Sequence, residues 1–297
     1  KLEEIVSAAK ARGPKRIAVA CAADTHTLSA VGEAYAKGLV TPVLFGPRAE
    51  IERICRELGY DPSAFIIVDE ASDLKCVELA VKAVATGEAD VLMKGLVSTD
   101  KYMRGILNKE AGLFPPKGVL SHVAVIELPG YHKLLCMSDA AVLPEPDFKQ
   151  KTVLIKYLAK VAATLGVERP KVACITPSEL VLPTDISSTE AAVLAKMGDR
   201  GQLGNVEVDG PLSIDVALYS EVAKEKKVQG STVAGDPDCL LMPNIESANV
   251  LFKSATHFAG ASIAAMVMGT RVPCVLTSRG DTPLTKLYSI ALACLSC

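Results

Sequence analysis

Val272-Pro-Cys-Val-Leu-Thr-Ser-Arg-Gly-Asp-Thr-Pro-Leu-Thr-Lys-Leu-Tyr288 is the stretch on which the fold turns. Pro273 to Thr277 is a short apolar, partly β-branched run, which predicts a buried strand. From Leu284 onward the apolar residues fall at 284, 287, 288, 291, 292 and 295, the period of an amphipathic helix. Thr282 is placed as N-cap and Pro283 as the first helical residue, so Ser278, Arg279, Gly280 and Asp281 crowd onto a strand-to-helix turn. A helix start offers unpaired N–H groups and partial positive charge, and Arg279 adds a bidentate fork; together they favour phosphate or another oxyanion. The plainer alternative is an Arg279–Asp281 pair across a surface turn.

The same alternation recurs upstream. A helix at about 2 to 12 precedes a strand at 16 to 21, and Asp24 or Thr25 caps a helix to about 37. Strand 43 to 45, helix 48 to 57, strand 65 to 68, helix 73 to 86 and strand 90 to 93 follow. Alternating βαβ units predict a mainly parallel sheet covered on both faces. Past the last of these strands come Lys94 and Gly95, then Ser98 or Thr99 as a cap, with Arg104 one to two turns into the next helix. Lys94 and Arg104 are either solvated charges on a capped helix or a second anion site, since open parallel sheets bind ligands at the carboxyl ends of strands.

His122–Leu128 and Lys133–Met137 read as two antiparallel strands around a Pro-Gly turn. Pro144 and Pro146 then mark the best domain boundary. The βα pattern restarts with a helix at about 148 to 164, strand 171 to 176, helix 188 to 197, strand 206 to 208 and helix 213 to 226. Strand 239 to 242, helix 247 to 255 and strand 262 to 268 complete it, which predicts a second α/β domain. In that run Asp209 and Asp215 either end a strand and cap a helix or face a ligand. Asn249 and Lys253 are likewise either an exposed i,i+4 pair or site residues.

The 297 residues are 49% hydrophobic and 22% charged with a formal net charge of −2, which gives no electrostatic attraction to nucleic acid or an anionic membrane. No apolar run approaches the roughly 18 residues of a membrane span and Lys1-Leu-Glu-Glu-Ile lacks a signal-peptide core, so a cytoplasmic protein is expected. The nine cysteines are scattered; only Cys294 and Cys297 form a CxxC, without a second pair. The four histidines, at 26, 122, 132 and 257, are isolated, and no HxxxH, HExxH, GxGxxG or GxxxxGK[ST] occurs. A metal, nicotinamide or nucleoside triphosphate enzyme is therefore disfavoured.

Seven blocks carry a resemblance: Met93-Lys-Gly-Leu-Val, Ser121-His-Val-Ala-Val, Ser138-Asp-Ala-Ala, Asp209-Gly-Pro-Leu, Ala234-Gly-Asp, Leu276-Thr-Ser-Arg and Lys286-Leu-Tyr-Ser-Ile-Ala-Leu-Ala. In this order they resemble the phosphate acetyl/butyryltransferase family over nearly the whole chain, and from Asp209 onward its butyryl branch most. The resemblance implies two three-layer α/β/α domains with mainly parallel sheets flanking a cleft, an architecture like that of isocitrate and isopropylmalate dehydrogenases. It implies a discontinuous first domain, 1–143 plus 269–297, around a second at 144–268, and a homodimer or higher homo-oligomer. The implied reaction interconverts acyl-CoA plus phosphate and acyl phosphate plus CoA, with coenzyme A as co-substrate and no permanently bound cofactor or metal.

Carried over by position, Ser278 and Arg279 match the family's active-site pair. Ser98, Thr99 and Arg104 match its phosphate- or CoA-binding segment, and Asn249 and Lys253 its Asn and Lys. Lys94, Asp139 and Asp209 join the substrate-binding set. Residues 243–253 match the family's Pro-Asp-x-x-x-Gly-Asn-x-x-x-Lys block with two departures, Asn244 for Asp and Ala248 for Gly. The acetyl branch's carboxylate, seven residues after the Ser, is here Thr285, which leaves Asp281 as the candidate base. In this scheme a thiolate attacks the acyl carbonyl in a ternary complex, and Ser278, Arg279 and backbone N–H groups at the helix start near 283 stabilise the oxyanion. The alternatives are acetyl specificity, a catalytically idle acyl-CoA- or phosphate-binding protein, and an isocitrate-dehydrogenase-like oxidoreductase.

Overall fold

Asp24 accepts the Thr27 N–H at 2.8 Å and opens a helix where cap and periodicity together place it. Ser98, Asp147, Asp185, Asn244 and Thr282 open five more in the same way. The protein is described as a computed structural model covering residues 1–278 and 280–297. It divides into two compact units, Leu2–Gly118 with Ile263–Cys297, and Val119–Ser262 joined by Lys1.

The discontinuous unit begins with α1 (Leu2–Ala11), β1 (Lys15–Ala20), α2 (Thr25–Ala36), β2 (Val40–Gly46) and α3 (Arg48–Glu57). It continues with β3 (Ile66–Asp69), α4 (Asp73–Ala85), β4 (Val91–Lys94) and α5 (Thr99–Leu107). The continuous unit holds β5 (Ser121–Glu127), β6 (Leu135–Ser138), α6 (Phe148–Thr164), β7 (Lys171–Ile175), α7 (Ile186–Asp199) and β8 (Glu207–Leu212). It ends with α8 (Ile214–Leu218), α9 (Ser220–Glu225), β9 (Cys239–Leu241) and α10 (Ile245–His257). The chain then returns to the discontinuous unit as β10 (Ser262–Met268), β11 (Cys274–Val275) and α11 (Pro283–Leu295).

In the discontinuous unit the strands run β3-β2-β1-β4-β11-β10, all parallel except that β10 runs against β11. The register sets Val19 beside Leu44 and Met93, and Val275 beside Met93. Ile17 through Ala20 are fully buried, as a strand packed on both faces requires. In the continuous unit the order is β5-β6-β9-β7-β8, with only β5 and β6 antiparallel. Each unit is thus mixed α/β with mostly parallel strands.

Three expectations are corrected. The units divide at 118/119 and 262/263 rather than at 143/144 and 268/269, because β6 pairs with β9 and so keeps its hairpin with the continuous unit. The single helix expected at 213–226 is two, α8 and α9, parted at Tyr219, which takes extended backbone angles. And α11 is not amphipathic: residues 286 to 295 are all buried, because α1, α2 and β11 pack around it. Among the described residues no helix is long and apolar enough to cross a membrane. Of nine free cysteines, eight are buried and Cys297 is exposed.

Candidate active site

Within the discontinuous unit, β1, β4 and β11 are neighbours and their carboxyl ends open into one pocket. It has a volume of about 210 Å³ and is lined by Asp24, His26, Thr27, Lys94, Gly95, Leu96, Thr277, Ser278 and Lys286. Each strand end contributes for a local reason. Past β1, the carboxylate of Asp24 takes both the N–H and the hydroxyl of Thr27, at 2.8 and 2.6 Å, and so fixes the first turn of α2 with His26 in it.

Past β4, Gly95 lets two backbones approach closely. Its N–H bonds to Ala20 O at 2.8 Å, and a Cβ added to it would lie 2.3 Å from Cys21 O. That approach holds the buried Lys94 at the pocket, where its Nζ donates to Gly95 O at 3.3 Å. Tyr102 of α5, fully buried, donates to Val275 O at 3.2 Å and ties α5 to β11. Burial pushes its phenol well above the ordinary value, so it stays a neutral donor.

Past β11, Ser278 is exposed and its Oγ accepts the Gly280 N–H at 3.4 Å. The candidate base Asp281 is part of the turn itself: Oδ2 accepts the Ser278 N–H at 2.7 Å, and its own N–H bonds to Ser278 O at 3.2 Å. Arg279, the other half of the expected pair, lies outside the described residues. The helix start is less of an anion site than expected. Pro283 has no N–H and Thr282 Oγ1 takes that of Thr285 at 3.1 Å, so Leu284 is the uncapped donor of the first turn among the described residues.

The positive charge comes instead from a lysine that sequence reasoning quoted only as part of a block. Lys286 is 3% exposed, and its Nζ reaches back to donate to Ser278 O at 3.1 Å and Asp281 O at 3.4 Å. A signal for it existed: a lysine that is the sole charged residue of a largely apolar helix must be held by something. His26 is isolated in sequence, but α2 starts past β1, whose neighbours in order are β4 and β11, and that order brings it to the pocket.

Other expected site residues are not brought to this pocket. Ser98 caps α5 by accepting Lys101 N–H at 3.3 Å, with Thr99 exposed beside it. Arg104 is 77% exposed and pairs with Asp100 at 3.1 Å one turn away. Asp139, Asp209, Asn249 and Lys253 belong to the continuous unit. There Asp139 is buried and accepts five hydrogen bonds, from Ser121 Oγ and the N–H groups of His122, Ala141, Val142 and Leu143. A carboxylate offers about four lone-pair sites, so Asp139 is saturated by its own loop together with the start of β5.

Asn249 braces that loop, donating to Ala140 O at 3.0 Å, while Lys253 extends over the Phe252 ring at 5.2 Å. Asn244, where the family block has Asp, still caps α10 by accepting Ser247 N–H at 3.0 Å. Asp209 accepts the Gly210 N–H at 2.8 Å. Burial first, and the charge of Asp209 second, push the Cys174 thiol up to about 12, which makes it inert as a nucleophile. Among the described residues no group of three or more His, Cys, Asp or Glu side chains is placed to hold a metal ion.

The model of the family described as "Phosphate acetyl/butaryl transferase" matches residues 72–294. The chain is similar to a phosphate butyryltransferase of Clostridium acetobutylicum, 43% identical over 98% of this chain and 96% of that one. It is 41% identical to a phosphate acetyltransferase of Thermotoga maritima, over 98% of both chains. Among solved structures, a branched-chain phosphotransacylase from Enterococcus faecalis superposes with a TM-score of 0.83 at 28% identity, over 95% of this chain and 98% of that one.

Proposed function

The chain belongs to the phosphate acetyl/butyryl transferase family, and on that premise we propose that it moves a short acyl group, butyryl by preference, between coenzyme A and phosphate. The observation that carries this for the chain itself is the pocket at the ends of β1, β4 and β11, where Ser278 stands beside the buried ammonium group of Lys94.

With acyl phosphate in that pocket, CoA enters as thiol and loses its proton, and the thiolate attacks the acyl carbonyl. The C–S bond forms first and gives a tetrahedral intermediate; its collapse breaks the C–O bond to phosphate, which leaves as an anion neutralised by Lys94. Ser278 and Arg279 stabilise the oxyanion of the tetrahedral intermediate, a contribution of a few kcal/mol per donor. Asp281 holds the turn with Oδ2, which leaves Oδ1 to accept the thiol proton. Coenzyme A is a co-substrate in this scheme, and the exposed guanidinium of Arg104 is suited to its phosphates. We assign the protein to the cytoplasm as a homodimer, the latter to be checked by light scattering.

Similar identity to butyryl and acetyl relatives keeps acetyl transfer as the second reading. The deciding experiment follows phosphate-dependent CoA release from acetyl-, propionyl- and butyryl-CoA, with Arg279→Ala as control. Butyryl-CoA is expected to turn over fastest and the control to lose at least about a hundredfold. Equal or faster acetyl turnover removes the butyryl preference. No release from any ester makes the protein a non-catalytic binder.

A further inference from the structure

We infer that Lys286 is a phosphate ligand and at the same time the clamp that shapes the turn carrying Ser278. This rests on the proposed acyl transfer only for the identity of the anion. An ammonium group has three protons and no lone pair. Two go to the carbonyls of Ser278 and Asp281, at 3.1 and 3.4 Å. The side chain is 3% exposed and lines the pocket, so its remaining proton has the pocket to face.

Charge balance gives the same answer. Both bonds of Lys286 end on neutral carbonyls, and none of the ion pairs among the described residues includes it. A buried charge held only by dipoles is stabilised less than one with a counter-ion, and the pocket is where a counter-ion fits. The helix start adds little beside Lys286, since Pro283 has no N–H, Thr285 N–H is capped and Leu284 alone is left as an uncapped donor of the first turn among the described residues. Lys94 lines the same pocket, so two lysines contribute positive charge to it. At about 210 Å³ the cavity suits phosphate with a short acyl group. It is below the roughly 300–1,000 Å³ that drug-sized ligands occupy, which places the bulk of CoA elsewhere.

The turn clamp follows from the same two bonds. Lys286 grips the carbonyls at both ends of the segment 278–281, so phosphate bound to its third proton would feel any change in that turn. The test is Lys286→Gln, which keeps N–H donors for the carbonyls but removes the charge, beside Lys286→Met. Phosphate KM is expected to rise by about tenfold or more in Lys286→Gln, the loss of one charge-assisted hydrogen bond. KM for acyl-CoA should stay within about twofold of the parent's, a split that a purely structural role would not produce.

Unchanged phosphate KM in a folded Lys286→Gln overturns the ligand role, as does a parallel rise for both substrates. Should neither variant fold, acetylation of Lys286 in the parent protein is mapped by mass spectrometry with and without inorganic phosphate. Protection by phosphate supports the proposal and equal labelling overturns it. The labelling and a direct titration of parent and variant with inorganic phosphate need no turnover. They therefore separate failure of this inference from failure of the acyl-transfer assignment.

Discussion

The Thr285 hydroxyl lies 3.1 Å from that of Thr282, so the position seven residues past Ser278 serves a helix cap and carries no carboxylate. A threonine hydroxyl bonded to a neighbouring hydroxyl is no base near neutral pH. Thr285→Val, which keeps the capped N–H, is therefore expected to leave kcat within about threefold of the parent's, whereas losing a general base costs about 10²–10⁴. A hundredfold loss in steady-state assays would put the hydroxyl on the proton path.

Asp281 combines turn-building with the proposed proton transfer, and asparagine separates the two. In Asp281→Asn the amide oxygen still accepts the Ser278 N–H, which the carboxylate now accepts at 2.7 Å. The melting temperature should hold while kcat drops by about a hundredfold or more. If the rate survives, the thiol proton leaves by another group, and His26, which lines the pocket with Ser278, is the next to replace.

Gly95→Ala would set a Cβ 2.3 Å from Cys21 O and 2.7 Å from Ala20 O, both backbone atoms that cannot swing aside. Overpacking of this kind costs about 1–3 kcal/mol. Denaturant unfolding should register that loss together with a fall in activity, because Lys94 and Gly95 both line the pocket. Parent-like stability would mean that the two strand ends have room to separate.

Asp236 anchors Lys133, Lys171 and His132 at 2.8, 2.7 and 2.9 Å. Burial alone would raise its pKa, but the hydrogen bonds from Lys133, Lys171 and His132 outweigh burial and hold it well below the carboxylate range. A depressed folded pKa adds stability above the unfolded value, and that stability is lost as pH falls through the folded one. Asp236→Asn should thus be less stable than the parent at neutral pH, and the gap should narrow in acid. The side chain is 42% exposed, so solvent limits the effect to about 1 kcal/mol. Thermal melts from pH 7 down to acid would detect it, and a gap independent of pH would point to lost packing instead.

Nearly every element was legible because its signals are local. Asp24 and Thr282 cap the helices that follow them, and Thr282-Pro283 placed the start of α11 to the residue. The strand-end pocket was legible as a principle, and Ser278 and Lys94 do line it. What stayed hidden depends on non-local facts. Asp139 reads as a site carboxylate until five donors are seen around it. His26 stands 252 residues from Ser278 in sequence, and strand order alone brings them to one pocket. Lys286 was lost to an amphipathic pattern that the all-round burial of α11 overrides.

The placement of β11 beside β4, with α11 buried behind it, has a consequence for the order in which the molecule is made. On the ribosome, β1 and β4 emerge early and wait through the whole of residues 119–262, a span with its own strand set, before their neighbour is translated. Domains fold as units while synthesis proceeds. The inserted unit is thus free to mature mid-synthesis, whereas the pocket acquires Thr277, Ser278 and Lys286 only as the final helix is threaded out. A nascent chain stalled before residue 274 therefore lacks the side of the pocket that Thr277, Ser278 and Lys286 make.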